Sequence, residues 1–149
     1  SEMCIRDRHY DISIVRDRVG PELASTSYAF RTMRTLGIHA SYGTDCPVED
    51  LNPLECIHCA VNRTNLRDEP AGGFEPGECV DVSDAVDAYT LEGAYASFEE
   101  NVKGRLMPGF YADLAVLSDD IFTIDPLMIR RVKVDATMAG GRWVFERNA

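Results

Sequence analysis

The stretch Tyr42-Gly43-Thr44-Asp45-Cys46-Pro47-Val48 constrains this chain more than any other. Just ahead of it, Ile38, Ala40 and Tyr42 alternate with His39 and Ser41, the two-residue period of a strand with unlike faces, and Gly43 then frees the backbone for a turn. A strand is predicted over 38–42, which sets Asp45 just beyond its C-terminal end. In parallel α/β folds, and barrels above all, loops at that end converge on one point while the strands hold them rigid, so chemistry collects there. The plain alternative is that Asp45 caps the turn that follows.

Helical patterns flank this strand. Gly20-Pro21-Glu22 opens a helical stretch, and a helix is predicted over at least 28–36, with Gly37 as its stop. Beyond Asp45, Asn52-Pro53 supplies a cap and a first-turn proline, and Leu54, Ile57, His58 and Val61 share one face of a helix over 53–63. His58 on that apolar stripe reads as a core histidine rather than a ligand. Residues 65–79, with Pro70, Gly72, Gly73, Pro76 and Gly77, form a loop. Asp81 and Asp84 then stand at the N-cap and third positions of a helix over 82–97.

Past Phe98 the period changes. Residues 112–117 form a short apolar strand after the Pro108-Gly109 turn, and Asp125-Pro126 begins a turn or one-turn helix. Two alternating runs, Val132, Val134, Ala136 and Met138 before Gly140-Gly141 and Trp143 and Phe145 after it, predict a β-hairpin. An architectural boundary is expected over 98–103.

Composition excludes several classes. The 149 residues are 45% hydrophobic and 27% charged, so they are neither fibrous nor disordered in character. A net charge of -10 repels phosphate backbones and anionic lipid heads, which argues against nucleic acid and membrane partners. No apolar run approaches the length of about 20 that spans a bilayer. Five cysteines, an odd number without a dense framework, fit free thiols in a reducing, cytoplasmic setting. Cys56-x-x-Cys59 has no second Cys-x-x-Cys to complete a zinc site, and Cys46 has no neighbouring base to make it a nucleophile. Residues 3–8 read back into codons that resemble the mosaic end of a transposase sequencing adapter. Residues 1–8 are therefore expected to be a non-native leader, and the chain a fragment without its native N-terminus.

Four ordered blocks carry a resemblance. They are Gly43-Thr44-Asp45-Cys46-Pro47-Val48; Ala88-Tyr89-Thr90 with Ala94-Tyr95-Ala96; Lys103-Gly104 with Leu106, Pro108-Gly109 and Ala112-Asp113-Leu114; and Gly140-Gly141-Arg142. Together they resemble the C-terminal part of the metal-dependent amidohydrolases, nearest to amidohydrolase family 3, the branch that includes N-substituted formamide deformylase. The resemblance implies an α/β fold: the C-terminal part of a (β/α)8 TIM-barrel hydrolase over 9–98, followed by antiparallel strands of the accompanying small β-sandwich over 99–149.

It further implies a divalent metal, zinc by analogy, a small-molecule amide or formamide substrate, and hydrolysis of a C–N bond by activated water. Asp45 is the one site residue that carries over, as metal ligand and as the base that takes the water's proton. The family's other ligands, a His-x-His, a carboxylated lysine or acidic equivalent and two later histidines, would lie upstream, since none of His9, His39 or His58 matches them. Lys103, Gly104, Pro108, Gly109 and Asp113 match a block with a structural role, and the isolated fragment is expected to be inactive. Two rivals remain at this stage: a cyclic-amide hydrolase of the imidazolonepropionase kind, and a small non-catalytic α/β binding module in which Asp45 is an ordinary cap.

Overall fold

The computed structural model describes residues 3–6 and 9–147, with the side chains of 3–6, 9, 10 and 13 left aside. Strand β1 (Met3–Arg6) comes from the segment expected to be a leader and runs parallel to β2 (Ala40–Gly43), pairing Ile5 with Tyr42 and Arg6 with Gly43. Between them lie α1 (His9–Ala24) and α2 (Phe30–Thr35). Helix α1 kinks at Gly20, whose φ of 79° lies outside the helical region, and Pro21 starts its second part, as the Gly-Pro pair suggested.

The start of β2 shows local chemistry overriding alternation. Gly37 takes a left-handed φ of 68°; its N–H reaches Arg34 O and the Ile38 N–H reaches Met33 O, both at 3.0 Å. This is a Schellman closure of α2. It consumes the Ile38 donor, so pairing begins at Ala40 rather than at 38.

Helix α3 (Pro53–Asn62) follows the expected span, and the Asn52 side chain accepts from Leu54 N at 3.2 Å. The predicted 82–97 helix is two: α4 (Val82–Tyr89) and α5 (Leu91–Ala96). Asp81 occupies the N-cap position in extended backbone but makes no side-chain cap bond. The break falls at Thr90, whose Oγ1 donates back to Val86 O at 2.8 Å and whose N–H tightens onto Asp87 O. Such back-bonding by a β-branched residue bends helices.

The C-terminal third forms an antiparallel sheet, β3 (Leu114–Leu117), β4 (Val134–Ala139) and β5 (Arg142–Glu146), in that order. The hairpin turns at Gly140-Gly141 with Ala139 opposite Arg142, and a 3-10 helix, Pro126–Arg131, begins where Asp125 accepts from Leu127 N. One buried cluster joins Phe30, Leu54, Ile57, Ala60, Val80 and Ala85 with Ile121, Ile129 and Val132, so the core runs across the expected 98–103 boundary. Helix and strand thus mix in an α/β arrangement.

Gly104 sits where the block of expected structural role meets the α4–α5 bend. Its φ is +83°, and a Cβ there would lie 2.9 Å from Thr90 O and 3.0 Å from the Ala94 Cβ. Gly104→Ala should lower the unfolding free energy of the complete protein by about 1–3 kcal/mol. Gly77→Ala, into open space, should stay within about 0.5 kcal/mol. Denaturant titration of both variants checks the contrast, and equal losses would refute the close-approach argument.

Candidate functional site

Tyr42 anchors β2. Its ring centroid lies 4.9 Å from that of Phe30 on α2 and meets Tyr89 on α4 edge-on at 6.0 Å. Aromatic rings at such angles add about 0.5–1.5 kcal/mol per pair beyond the area they bury. The strand end is thereby held against two helices before the chain turns.

Two residues beyond the last residue of β2, Asp45 takes a left-handed φ of 52° and is exposed. Aspartate is one of the few non-glycine residues that tolerate this region, because its short polar side chain can bond locally. Its carbonyl accepts from Val48 N at 2.9 Å, closing a turn over 45–48. Both readings of the motif therefore meet in one residue: Asp45 does shape a turn, and it also stands at the C-terminal end of a parallel strand.

Cys46 beside it is exposed. Glu49, by contrast, is only 6% exposed, a buried carboxylate one turn after Asp45. Nothing in Val48-Glu49-Asp50 announces this, since adjacent acids in a polar loop read as solvated; the signal is tertiary.

The histidines are engaged elsewhere. His39 Nδ1 lies 2.7 Å from Glu92 Oε2, and its ring stacks on Tyr95 at 4.1 Å. His58 is fully buried and lies 3.1 Å from Asn62 Nδ2. Burial holds its imidazole below the ordinary value of 6.5, and the Arg130 charge adds to that effect. The His9 side chain lies outside the described residues.

Among the described residues, no three His, Cys, Asp or Glu side chains converge where a metal could bind. One carboxylate at Asp45 is one ligand, while zinc in proteins takes three or four. The described residues therefore do not fit a complete metal centre. Nor does Asp45 line the open groove of about 830 Å³ between α3, α4, α5 and the sheet, walled by Leu54, Ile57, Val86, Tyr89 and Leu117. No helix among the described residues is long and apolar enough to cross a membrane.

With this geometry in view, likeness to known proteins becomes informative. A family model described as the amidohydrolase family matches residues 3–145. The chain is 32% identical over 138 residues to YtcJ of Bacillus subtilis (strain 168), a protein named as an amidohydrolase, covering 93% of this chain and 26% of that one. It is 29% identical over 120 residues to the N-substituted formamide deformylase of Arthrobacter pascens, covering 80% of this chain and 22% of that one. The crystal structure of an uncharacterized metal-dependent hydrolase from Pyrococcus horikoshii OT3 matches with a TM-score of 0.71 at 26% identity, over 84% of this chain and 26% of that one. The chain thus spans about a quarter of the length of these relatives.

The thiols offer a direct check on the local geometry. Cys46 is exposed, Cys79 is half-buried with its thiol pushed up by burial against the pull of Arg63 and Arg31, and Cys56 and Cys59 are buried on α3. Alkylation of the native protein, mapped by peptide mass, should label Cys46 first, Cys79 more slowly, and Cys56 and Cys59 only on unfolding. Rapid native labelling of Cys56 or Cys59 would contradict the placement of α3.

Proposed function

The chain belongs to the amidohydrolase family, and from that membership we propose that it is the C-terminal part of a metal-dependent amidohydrolase that cleaves a C–N bond of a small amide or formamide. Asp45 is its contribution to the catalytic centre. The observation that carries the proposal is the placement of Asp45: exposed, left-handed and just past the end of strand β2, whose Tyr42 is pinned by aromatic packing against Phe30 and Tyr89.

In that role the Asp45 carboxylate accepts a proton from water as the water oxygen bonds to the substrate carbonyl carbon. It returns the proton to nitrogen as the C–N bond breaks. A carboxylate suits both halves of the exchange because it is ionised at neutral pH and can reach water and leaving group in turn. A divalent metal, zinc by family likeness, would draw its remaining ligands from residues outside this chain. In the proposed architecture, 9–98 belong to a TIM barrel and 99–149 to a β-sandwich.

The surface supports the reading of a part. Trp143, Val144 and Phe145 on edge strand β5 are 51%, 63% and 48% exposed. Expressed alone, the chain should aggregate and retain no stoichiometric zinc after dialysis. A monodisperse monomer with a cooperative thermal transition would overturn the partial-domain reading.

In the complete enzyme, Asp45→Asn should leave the fold and KM nearly intact while kcat falls by about 10²–10⁴-fold, the usual worth of a general base. Cys46→Ala should be mild. Steady-state kinetics on both variants, alongside metal analysis, decides the matter: near-native kcat in Asp45→Asn, with loss in Cys46→Ala, would replace the carboxylate by a thiol.

A further inference from the structure

The C-terminal turn of α3 holds a polar pocket that the proposed chemistry does not use. His58 has no exposed surface. Its Nδ1 lies 3.1 Å from Asn62 Nδ2, and that same nitrogen donates to the His58 carbonyl at 2.9 Å and to Pro126 O at 3.0 Å. Carbonyl oxygens can only accept, so the Asn62 amide must present its NH2 group to this corner, and Nδ1 must carry a lone pair. The ring proton then sits on Nε2, which faces Asn65 O and Thr64 Oγ1, each at 3.4 Å, with Asp68 Oδ1 at 3.8 Å.

A second proton is poorly served in this arrangement. On Nδ1 it would face the Asn62 NH2 group, and the acceptor beside it, Pro126 O, is the one that Asn62 already holds, so the charged ring competes with Asn62 for that carbonyl. Turning the Asn62 amide around relieves that clash but aims Oδ1 at the carbonyls of His58 and Pro126, and the bond from α3 to the Pro126–Arg131 helix is lost. The surrounding charges offer little rescue. Arg130, on that helix, opposes a cation in the ring; Asp68, on the 64–79 loop, favours one but is already bound two-pronged by Arg130 at 2.7 and 2.8 Å. Arg130 also donates to Leu127 O.

We propose that the His58–Asn62–Pro126 contact is an acid-released latch: the neutral imidazole lets Asn62 clamp the Pro126–Arg131 helix to α3, and protonation at Nδ1 opens the clamp. Burial first, and Arg130 second, disfavour the charged ring in the folded protein, while the Asn65 and Pro126 carbonyls and Asp68 oppose them with the smaller effect. The folded protein therefore binds this proton less readily than the unfolded chain. The clamp is complete above the ordinary imidazole value of 6.5 and weakens as pH falls below it. The inference is independent of the role given to Asp45.

The test uses the complete gene product. Nitrogen-15 NMR of the imidazoles near neutral pH should show His58 as the Nε2–H tautomer with a midpoint below 6.5. An Nδ1–H ring, or a midpoint at or above that value, overturns the latch without any variant. Amide exchange across 126–132, corrected for intrinsic rates, should then be about tenfold faster at about pH 5.5 than at about pH 7.5, the scale of one net hydrogen bond. In His58→Asn, whose Oδ1 can accept from Asn62 in place of Nδ1, the acid increment should vanish. The same increment in the variant would assign it to another group. Should His58→Asn fail to fold, the tautomer and midpoint of the unaltered protein decide the question.

Discussion

Burial of helix α3 on nearly every side is the constraint from which the rest of the structure follows. Leu54, Ile57 and Ala60 meet Phe30, Val80, Ile129 and Val132 in one cluster. Full burial of each large aliphatic or aromatic side chain is worth about 1.5–3 kcal/mol, so α3 alone organises much of what this chain can gain by folding. A helix buried to its last turn must also satisfy its polar end inside the protein. Arg63 answers by taking a left-handed φ of 57°, donating from Nε to Phe74 O at 2.9 Å and lying 5.2 Å from the Phe30 ring. His58 and Asn62 answer through Pro126, Thr64 and Asn65. Loop, 3-10 helix and core are tied to α3 by these polar contacts as much as by apolar ones.

The same core positions the candidate site. Phe30 packs against both Arg63 and Tyr42, so the strand that precedes Asp45 is continuous with the packing around α3. A rigid strand delivering a carboxylate on a short turn is a sound way to place a base, because side-chain freedom is confined to the last two torsions. What the described residues do not assemble is the remainder of a metal centre. That division matches a chain spanning about a quarter of its relatives' length.

Much of the fold was legible because its signals are local. Asn52-Pro53 begins α3, Gly37 ends α2, Asp125-Pro126 starts the 3-10 helix and Gly140-Gly141 turns the hairpin, each through a preference for a particular φ or for a missing donor. Departures arose where two local motifs competed or where a distant backbone intervened. The closure of α2 takes the Ile38 N–H that strand pairing would have used. The uninterrupted apolar face of 82–97 concealed a bend at Thr90, against whose carbonyl Gly104 packs. Asp81 stands where a cap belongs, yet its carboxylate makes no cap bond.

For the candidate site, sequence alone determined the address of one residue: alternation followed by Gly43 put Asp45 past a strand end, and four ordered blocks pointed to the amidohydrolases. Periodicity and turn preference act within a few residues, which is why they could be read without coordinates. Only the tertiary structure decided that Asp45 lies outside the large groove, that Glu49 is buried, and that the Asn62 amide, held by two carbonyls from different elements, dictates the proton on His58. Those facts depend on which distant atoms share a volume, and burial and hydrogen-bond complementarity across the chain leave no trace in the order of its residues.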